Sequence, residues 1–168
     1  MKSIYDLDYN GLTEMALDHG WKKYRGDQIF RWLYRKRVSS FAEMTDLKAD
    51  MIGQLESEYS IDLPVLINKQ ISRDGTRKYL FQLEDGSSVE TVMMNYDYGK
   101  SVCVSSQIGC NMGCTFCASG LLKKQRNLTS GEMTGQVLAV QKDLDEDGFR
   151  VSHIVVMGTG EPFDNYDN

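Results

Sequence analysis

Four cysteines are the residues of this chain best suited to chemistry. Cys110, Cys114 and Cys117 lie within eight residues at C-x3-C-x2-C spacing, and Cys103 lies seven residues before them. Thiols this close pair poorly as disulfides, because short loops disfavour the geometry of the bond. Pointing inward from one loop, they can instead hold a single soft metal centre. Gly109 and Gly113 permit the tight backbone path, since glycine adopts conformations closed to other residues. Three thiolates leave a four-coordinate site one ligand short. Structural zinc closes all four positions, usually with two separated ligand pairs, and Cys103 would be an unusual fourth. An iron–sulfur cluster held by three thiolates keeps one iron open, as a reaction centre requires.

The elements around these cysteines follow from pattern. Ser101 to Gln107 reads as a strand running directly into the loop. After it, Thr129-Ser130-Gly131-Glu132 has capping-box form, and Met133, Val137, Val140 and Leu144 stripe a helix. His153 to Met157 is a short apolar strand that ends at Gly158-Thr159-Gly160-Glu161-Pro162. Strand, loop, helix, strand is the start of a parallel α/β arrangement, which collects functional loops at the C-terminal ends of its strands. The cysteine loop and the Gly-Thr-Gly-Glu-Pro turn are thus expected to face one pocket. There Gly158 and Gly160 would let a ligand approach the backbone, and Glu161 could accept a hydrogen bond from its ammonium group.

Upstream, Val65 to Ile71, Arg77 to Leu83 and Ser88 to Met94 alternate as strands, separated by Asp74-Gly75 and Asp85-Gly86. Asp-Gly between such segments signals hairpins, so a three-stranded meander is expected. On its third strand Glu90 shares a face with Val92 and Met94. Partial desolvation there would raise its pKa and suit a proton acceptor; the plainer reading is an edge-strand carboxylate facing water.

Residues 10 to 59 carry helical spacing. Leu12, Met15, Ala16 and His19 line a helix closed by Gly20, and Ile29, Trp32 and Leu33 line a second over about 25 to 37. Ser40 and Glu43 have capping-box spacing ahead of a stripe of Leu47, Met51 and Leu55. The large apolar residues read as core, and His19 and His153, without ligand spacing, as structural. A net charge of −5 excludes a uniformly basic nucleic-acid binder. Residues 21 to 37 nonetheless concentrate Lys22, Lys23, Arg25, Arg31, Arg35, Lys36 and Arg37 against Asp27, and Lys123, Lys124 and Arg126 follow the cysteine loop. Such patches bind phosphate or simply solvate a helix face. There is no membrane-length apolar run and no signal-peptide core at the N-terminus, so a cytoplasmic protein with free thiols is expected.

Cys103-Val-Ser-Ser-Gln-Ile-Gly-Cys-Asn-Met-Gly-Cys-Thr-Phe-Cys-Ala-Ser-Gly120, with Val-Glu-Thr-Val before it and Met-Gly-Thr-Gly-Glu-Pro-Phe-Asp-Asn after it, resembles the RlmN/Cfr family of radical S-adenosylmethionine (SAM) RNA methyltransferases. Tyr24 to Tyr34, Tyr-Arg-Gly-Asp-Gln-Ile-Phe-Arg-Trp-Leu-Tyr, matches that family's accessory helical domain. The cysteine spacing alone would specify only the superfamily. Glu-Pro after the glycines looks like the RlmN branch. The resemblance implies an α/β chain with a helical RNA-binding domain and β-meander over residues 1–95, then an incomplete radical SAM (β/α) barrel over 96–168. It implies methylation of adenine C2 in 23S rRNA and tRNA, with a [4Fe-4S] cluster, SAM, an electron donor such as a flavodoxin, and a monomeric full-length enzyme. Carried over, Cys110, Cys114 and Cys117 would ligate the cluster, and Gly160 and Glu161 would contact SAM. Glu90 would accept the proton, and Cys103 would resolve a covalent protein–RNA intermediate.

The family's methyl-carrying cysteine lies near the end of a longer chain, and a barrel of ordinary size takes about 250 residues. Residues 101 to 168 supply one strand–helix unit and the next strand. The chain alone is therefore expected not to complete the reaction. Two other readings remain: a non-catalytic, metal-stabilised RNA-binding module, and a gene fragment with an unpaired strand at residues 153 to 157.

Overall fold

Helix-forming spacing in the first third of the chain and strand alternation in the remainder become two separate bodies in the computed structural model, which describes residues 1–168. They are Met1–Asp62 and Leu63–Asn168. The meander that the sequence groups with the helices therefore belongs to the second body, because its last strand pairs with the strand that carries Cys103.

In the first body, strand β1 (Lys2–Ser3) pairs in parallel with β2 (Tyr59–Ser60). Helix α1 (Tyr9–Asp18) is capped by Asp8, whose Oδ1 accepts from Gly11 N at 2.6 Å. It buries Leu12, Met15 and Ala16. It ends where Gly20 turns to φ +72°, with Trp21 N bonding Ala16 O and Gly20 N bonding Leu17 O. That is a Schellman closure, which satisfies carbonyls the helix leaves open. Helix α2 (Tyr24–Arg31) presses Gly26 onto Thr13, where a Cβ would come within 2.7 Å of the Thr13 backbone. The expected single helix to residue 37 instead widens into a π-turn over Trp32–Lys36 and stops at Arg37, φ +52°. Trp32 Nε1 donates to Asp46 Oδ1 at 2.6 Å across this turn. The Ser40 cap opens only a short 3-10 turn, Phe41–Glu43, and Glu43 reaches Ser39 N rather than Ser40 N. Helix α3 (Ala49–Glu58) begins later, so buried Leu47 lies outside it. His19 is structural as expected, with Nε2 2.8 Å from Glu58 and Nδ1 2.8 Å from Met15 O.

The second body is built on a five-stranded sheet in the order β3 (Val65–Ile71), β4 (Arg77–Gln82), β5 (Ser88–Tyr96), β6 (Gly99–Cys103), β9 (Val151–Val155). Neighbours are antiparallel as far as β6, and β6 and β9 are parallel. Helix α4 (Ser130–Asp145) makes the crossover, with the Thr129–Glu132 capping box in place. The hairpins form where Asp-Gly marks them, although Asp74 and Asp85 keep negative φ and only Gly75 and Gly86 are left-handed. Each is a type I turn followed by a glycine bulge, which suits a three-residue loop.

One face of this sheet packs on α4. Tyr79, Phe81, Val89, Met93 and Val102 form the core with Val140 and Leu144. Two polar side chains of α4 join it. Gln136, fully buried, takes hydrogen bonds from Thr91 Oγ1 and Ser105 N and donates to Ser105 O. Asp143 receives Lys69, Arg77 and the Tyr79 hydroxyl.

Candidate metal centre and cofactor turn

Cys103 ends β6, and the expected strand from Ser101 to Gln107 breaks there, resuming only as β7 (Gln107–Ile108). The intervening residues instead run beside the segment leaving β9. Val104 N bonds Val155 O and Gly158 N bonds Val104 O, both at 2.9 Å, and Ser106 N bonds Thr159 O at 3.0 Å. Residues 104–108 are all buried, so the break in pairing leaves no mark in the periodicity of the sequence.

β7 pairs antiparallel with β8 (Arg126–Asn127), and this two-stranded neck carries the cysteine loop. Cys110 N bonds Leu122 O at 2.9 Å, and Lys124 N bonds Asn111 Oδ1 at 3.1 Å. Gly109 adopts φ +74° at the mouth, where a Cβ would overlap the Lys123 carbonyl. Inside the loop, Cys117 N bonds Cys114 O at 3.1 Å. All four cysteines are free; Cys114 and Cys117 are exposed, and Cys103 and Cys110 are partly buried. The Ser119 hydroxyl and amide, with the Gly120 amide, hold the Cys117 thiol below its usual range. Burial pushes the Cys103 thiol up, against a hydrogen bond from Met157 N–H.

Three free thiols on one tethered loop are the donor set a soft metal takes. No three Cys, His, Asp or Glu side chains converge on one point, however. Gly113, at φ +64° with open space around it, lies between Cys110 and Cys114, where the loop can tighten. Cys103 stands apart, on the sheet.

Glu90 departs from its desolvated reading. It lies on an inner strand rather than an edge, yet its side chain is 52% exposed and bonds Lys78 Nζ at 2.6 Å. The face of the sheet away from α4 is open, which leaves it in water. Glu90 lines a cavity of about 620 Å³ together with Leu80, Ser88, Gln107, Lys123 and Thr159. The cavity thus joins Glu90 to the neck of the cysteine loop and to the Gly-Thr-Gly turn. Cys103 is not among its lining residues.

The two glycines of that turn make room for the protein's own chain. A Cβ on Gly158 would come within 2.8 Å of Ser105 N, and one on Gly160 within 2.7 Å of Gln107 Cβ. Glu161 N donates to Gln107 Oε1 at 3.0 Å, and Glu161 Oε1 accepts from Phe163 N at 3.0 Å, capping the turn Pro162–Asn165. The basic cluster after the loop is largely paired: Lys124 with Asp164 at 2.6 Å, and Arg126 with Glu132 and Asp85 at 2.7 Å each. In the first body, Lys22, Lys23, Arg31, Arg35 and Lys36 are exposed. Of these, Arg31 pairs with Asp27 and Lys36 lies over the Trp32 ring. The sequence gives no role to Gln107, Asp164 or Asn165, because a lone amide or carboxylate carries no periodic signal of the distant group it bonds.

Residues 2–61 match the family model described as ribosomal RNA large subunit methyltransferase N-terminal domain. A probable dual-specificity RNA methyltransferase RlmN of Streptococcus thermophilus (strain CNRZ 1066) is 56% identical over 99% of this chain and 43% of its own length. That of Streptococcus mutans serotype c is 56% identical over 99% of this chain and 46% of its own. The crystal structure of a radical SAM methyltransferase from Sphaerobacter thermophilus superposes with a TM-score of 0.90 at 39% identity, covering 99% of this chain and 49% of that one. The chain spans about half the length of the curated relatives it matches. By sequence and by fold, then, it corresponds over nearly its whole length to the N-terminal portion of an RlmN-type radical SAM methyltransferase.

Proposed function

We propose that this chain contributes the cluster loop, the cofactor turn and an RNA-binding domain to a methyltransferase acting on adenine C2 of 23S rRNA and tRNA. The observation that carries the proposal is the loop of three free thiols on the β7–β8 neck, beside a cavity lined by both Glu90 and Thr159. Cys110, Cys114 and Cys117 would hold a [4Fe-4S] cluster through their thiolates. When bound, the cluster supplies the electron that cleaves SAM and so opens radical chemistry at a ring carbon too electron-poor for ordinary methyl transfer. Gly160 and Glu161 would meet SAM, the Glu161 carboxylate taking its ammonium with the oxygen not bonded to Phe163 N.

Glu90 would accept the proton lost from the methylated carbon; its carboxylate is held by Lys78 Nζ at 2.6 Å on the open face of the sheet. Cys103, on the same open face, would release the RNA from a covalent link to the enzyme; burial there pushes its thiol up. The exposed cations of residues 22 to 36 would meet RNA phosphates. A flavodoxin-like donor would supply the electron, in the cytoplasm. No helix is long and apolar enough to cross a membrane.

Anaerobic reconstitution with iron and sulfide tests this reading. The wild-type chain should take up about four irons, and Ser at any one of Cys110, Cys114 or Cys117 should abolish stable loading. Full uptake in any of these variants would overturn the ligand assignment. One tightly bound zinc protecting all four thiols would favour the non-catalytic module.

A further inference from the structure

Gln107 is a neutral side chain, 1% exposed, at the foot of the cysteine loop. Its Nε2 donates to Asn127 Oδ1 at 2.9 Å and Asp164 Oδ2 at 3.0 Å, and its Oε1 accepts from Glu161 N at 3.0 Å. One buried amide therefore touches the strand returning from the loop, the Pro162–Asn165 turn and the backbone of Glu161. The same Asp164 oxygen receives Lys124 Nζ at 2.6 Å, and Asp164 O accepts from Asn127 Nδ2 at 3.1 Å. Asn165, 4% exposed, donates to Ser106 O and Leu128 O, both at 2.9 Å. Both strands of the neck are thus fastened to residues 161–165.

We infer that Gln107 is a positioning residue for Glu161, and that Asp164, gripped by Lys124, locks this arrangement to the return strand of the cysteine loop. The physical ground is directional bonding in a buried place. A fully bonded amide admits few geometries, and losing one arm leaves a buried partner unsatisfied. Gly160 lets the turn lie close against Gln107: at its φ of +112° a Cβ would come within 2.7 Å of Gln107 Cβ. The loop that would carry the metal and the carboxylate that would meet the cofactor then keep one spacing. Gln107 acts on Glu161 through the hydrogen bond to its backbone N–H. The inference rests on the proposed SAM contact of Glu161.

The test uses the whole 168-residue chain, reconstituted anaerobically, with the variants Q107M, D164A, K124M and K124R. Q107M preserves volume and removes the directed bonds. Iron content should match wild type in all four, because the three thiols are untouched. The SAM-induced change in the electron paramagnetic resonance spectrum of the reduced cluster should need about tenfold more SAM in Q107M and D164A. K124M should shift the same way and K124R restore the wild-type response. In the metal-free chain, the Glu161 amide should exchange about tenfold faster in Q107M. Wild-type SAM dependence and wild-type Glu161 exchange in Q107M would overturn the inference. Should Q107M fail to fold, D164A, altered only at an exposed side chain, decides the matter: an unchanged SAM dependence overturns it. A wild-type chain with full iron and no SAM response overturns the SAM reading itself, and this inference with it.

Discussion

Glu90 and Cys103 project from the same face of the sheet, on neighbouring antiparallel strands. Val92 is paired with Cys103, and two residues further along Ser105 Oγ donates to Glu90 O at 2.7 Å. On that open face Glu90 is bound only by Lys78, and both side chains are about half exposed. Lys78→Met should therefore change stability by less than about 1 kcal/mol, since solvent screens such pairs. Superimposable urea transitions would agree; a loss above about 2 kcal/mol would contradict it.

The four thiols should react in a definite order. In metal-free protein at neutral pH, iodoacetamide should label Cys117 before Cys103. Cys117 is exposed and its thiolate is stabilised by Ser119 and Gly120, whereas burial keeps Cys103 protonated. Peptide mass mapping over a time course reads the order, and equal rates would contradict it.

Two loop glycines should respond unequally to alanine. At Gly109 the new methyl would overlap the Lys123 carbonyl, so Gly109→Ala should open the neck and cost about 3 kcal/mol or more. Gly113 has open space, so Gly113→Ala should cost only the left-handed backbone penalty, about 1–2 kcal/mol. Denaturant titration of the second body distinguishes them.

Gln136→Leu should destabilise the second body by about 2–4 kcal/mol. The substitution leaves the buried Thr91 hydroxyl and Ser105 N–H without a partner. Glutamate at the same site keeps an acceptor for both but buries a charge, and should be no better than leucine. The measurement is the urea midpoint at constant slope.

Asp143 makes stability depend on pH. Burial alone would raise its carboxyl, but Lys69, Arg77 and the Tyr79 hydroxyl outweigh that and hold it below the usual aspartate range. A carboxylate depressed in the folded state stabilises above its unfolded pKa of about 3.9 and loses that contribution as pH falls through the folded value. Asp143→Asn should therefore cost about 2–3 kcal/mol at neutral pH. The gap to wild type should close below about pH 4, as melts across pH 2 to 7 would show. A gap that stays constant would assign the effect to packing.

What the sequence determined by itself is local. Capping at Thr129–Glu132, closure at Gly20 and the turns at Gly75 and Gly86 each depend on a few adjacent residues, and each forms where the pattern places it. The C-x3-C-x2-C spacing likewise places three free thiols on one loop without coordinates. What only the tertiary structure decided involves partners far apart in the chain. The meander joins β6 because Val92 finds Cys103, which puts both in one compact unit, Leu63–Asn168. Glu90 is half exposed beside an open cavity, although its strand pattern is apolar. Gly158 and Gly160 make way for Ser105 and Gln107. Gln107 and Asp164, 57 residues apart, meet through a single hydrogen bond. Periodicity reports which side of an element is buried; it carries no information about which distant polar group completes a hydrogen bond there.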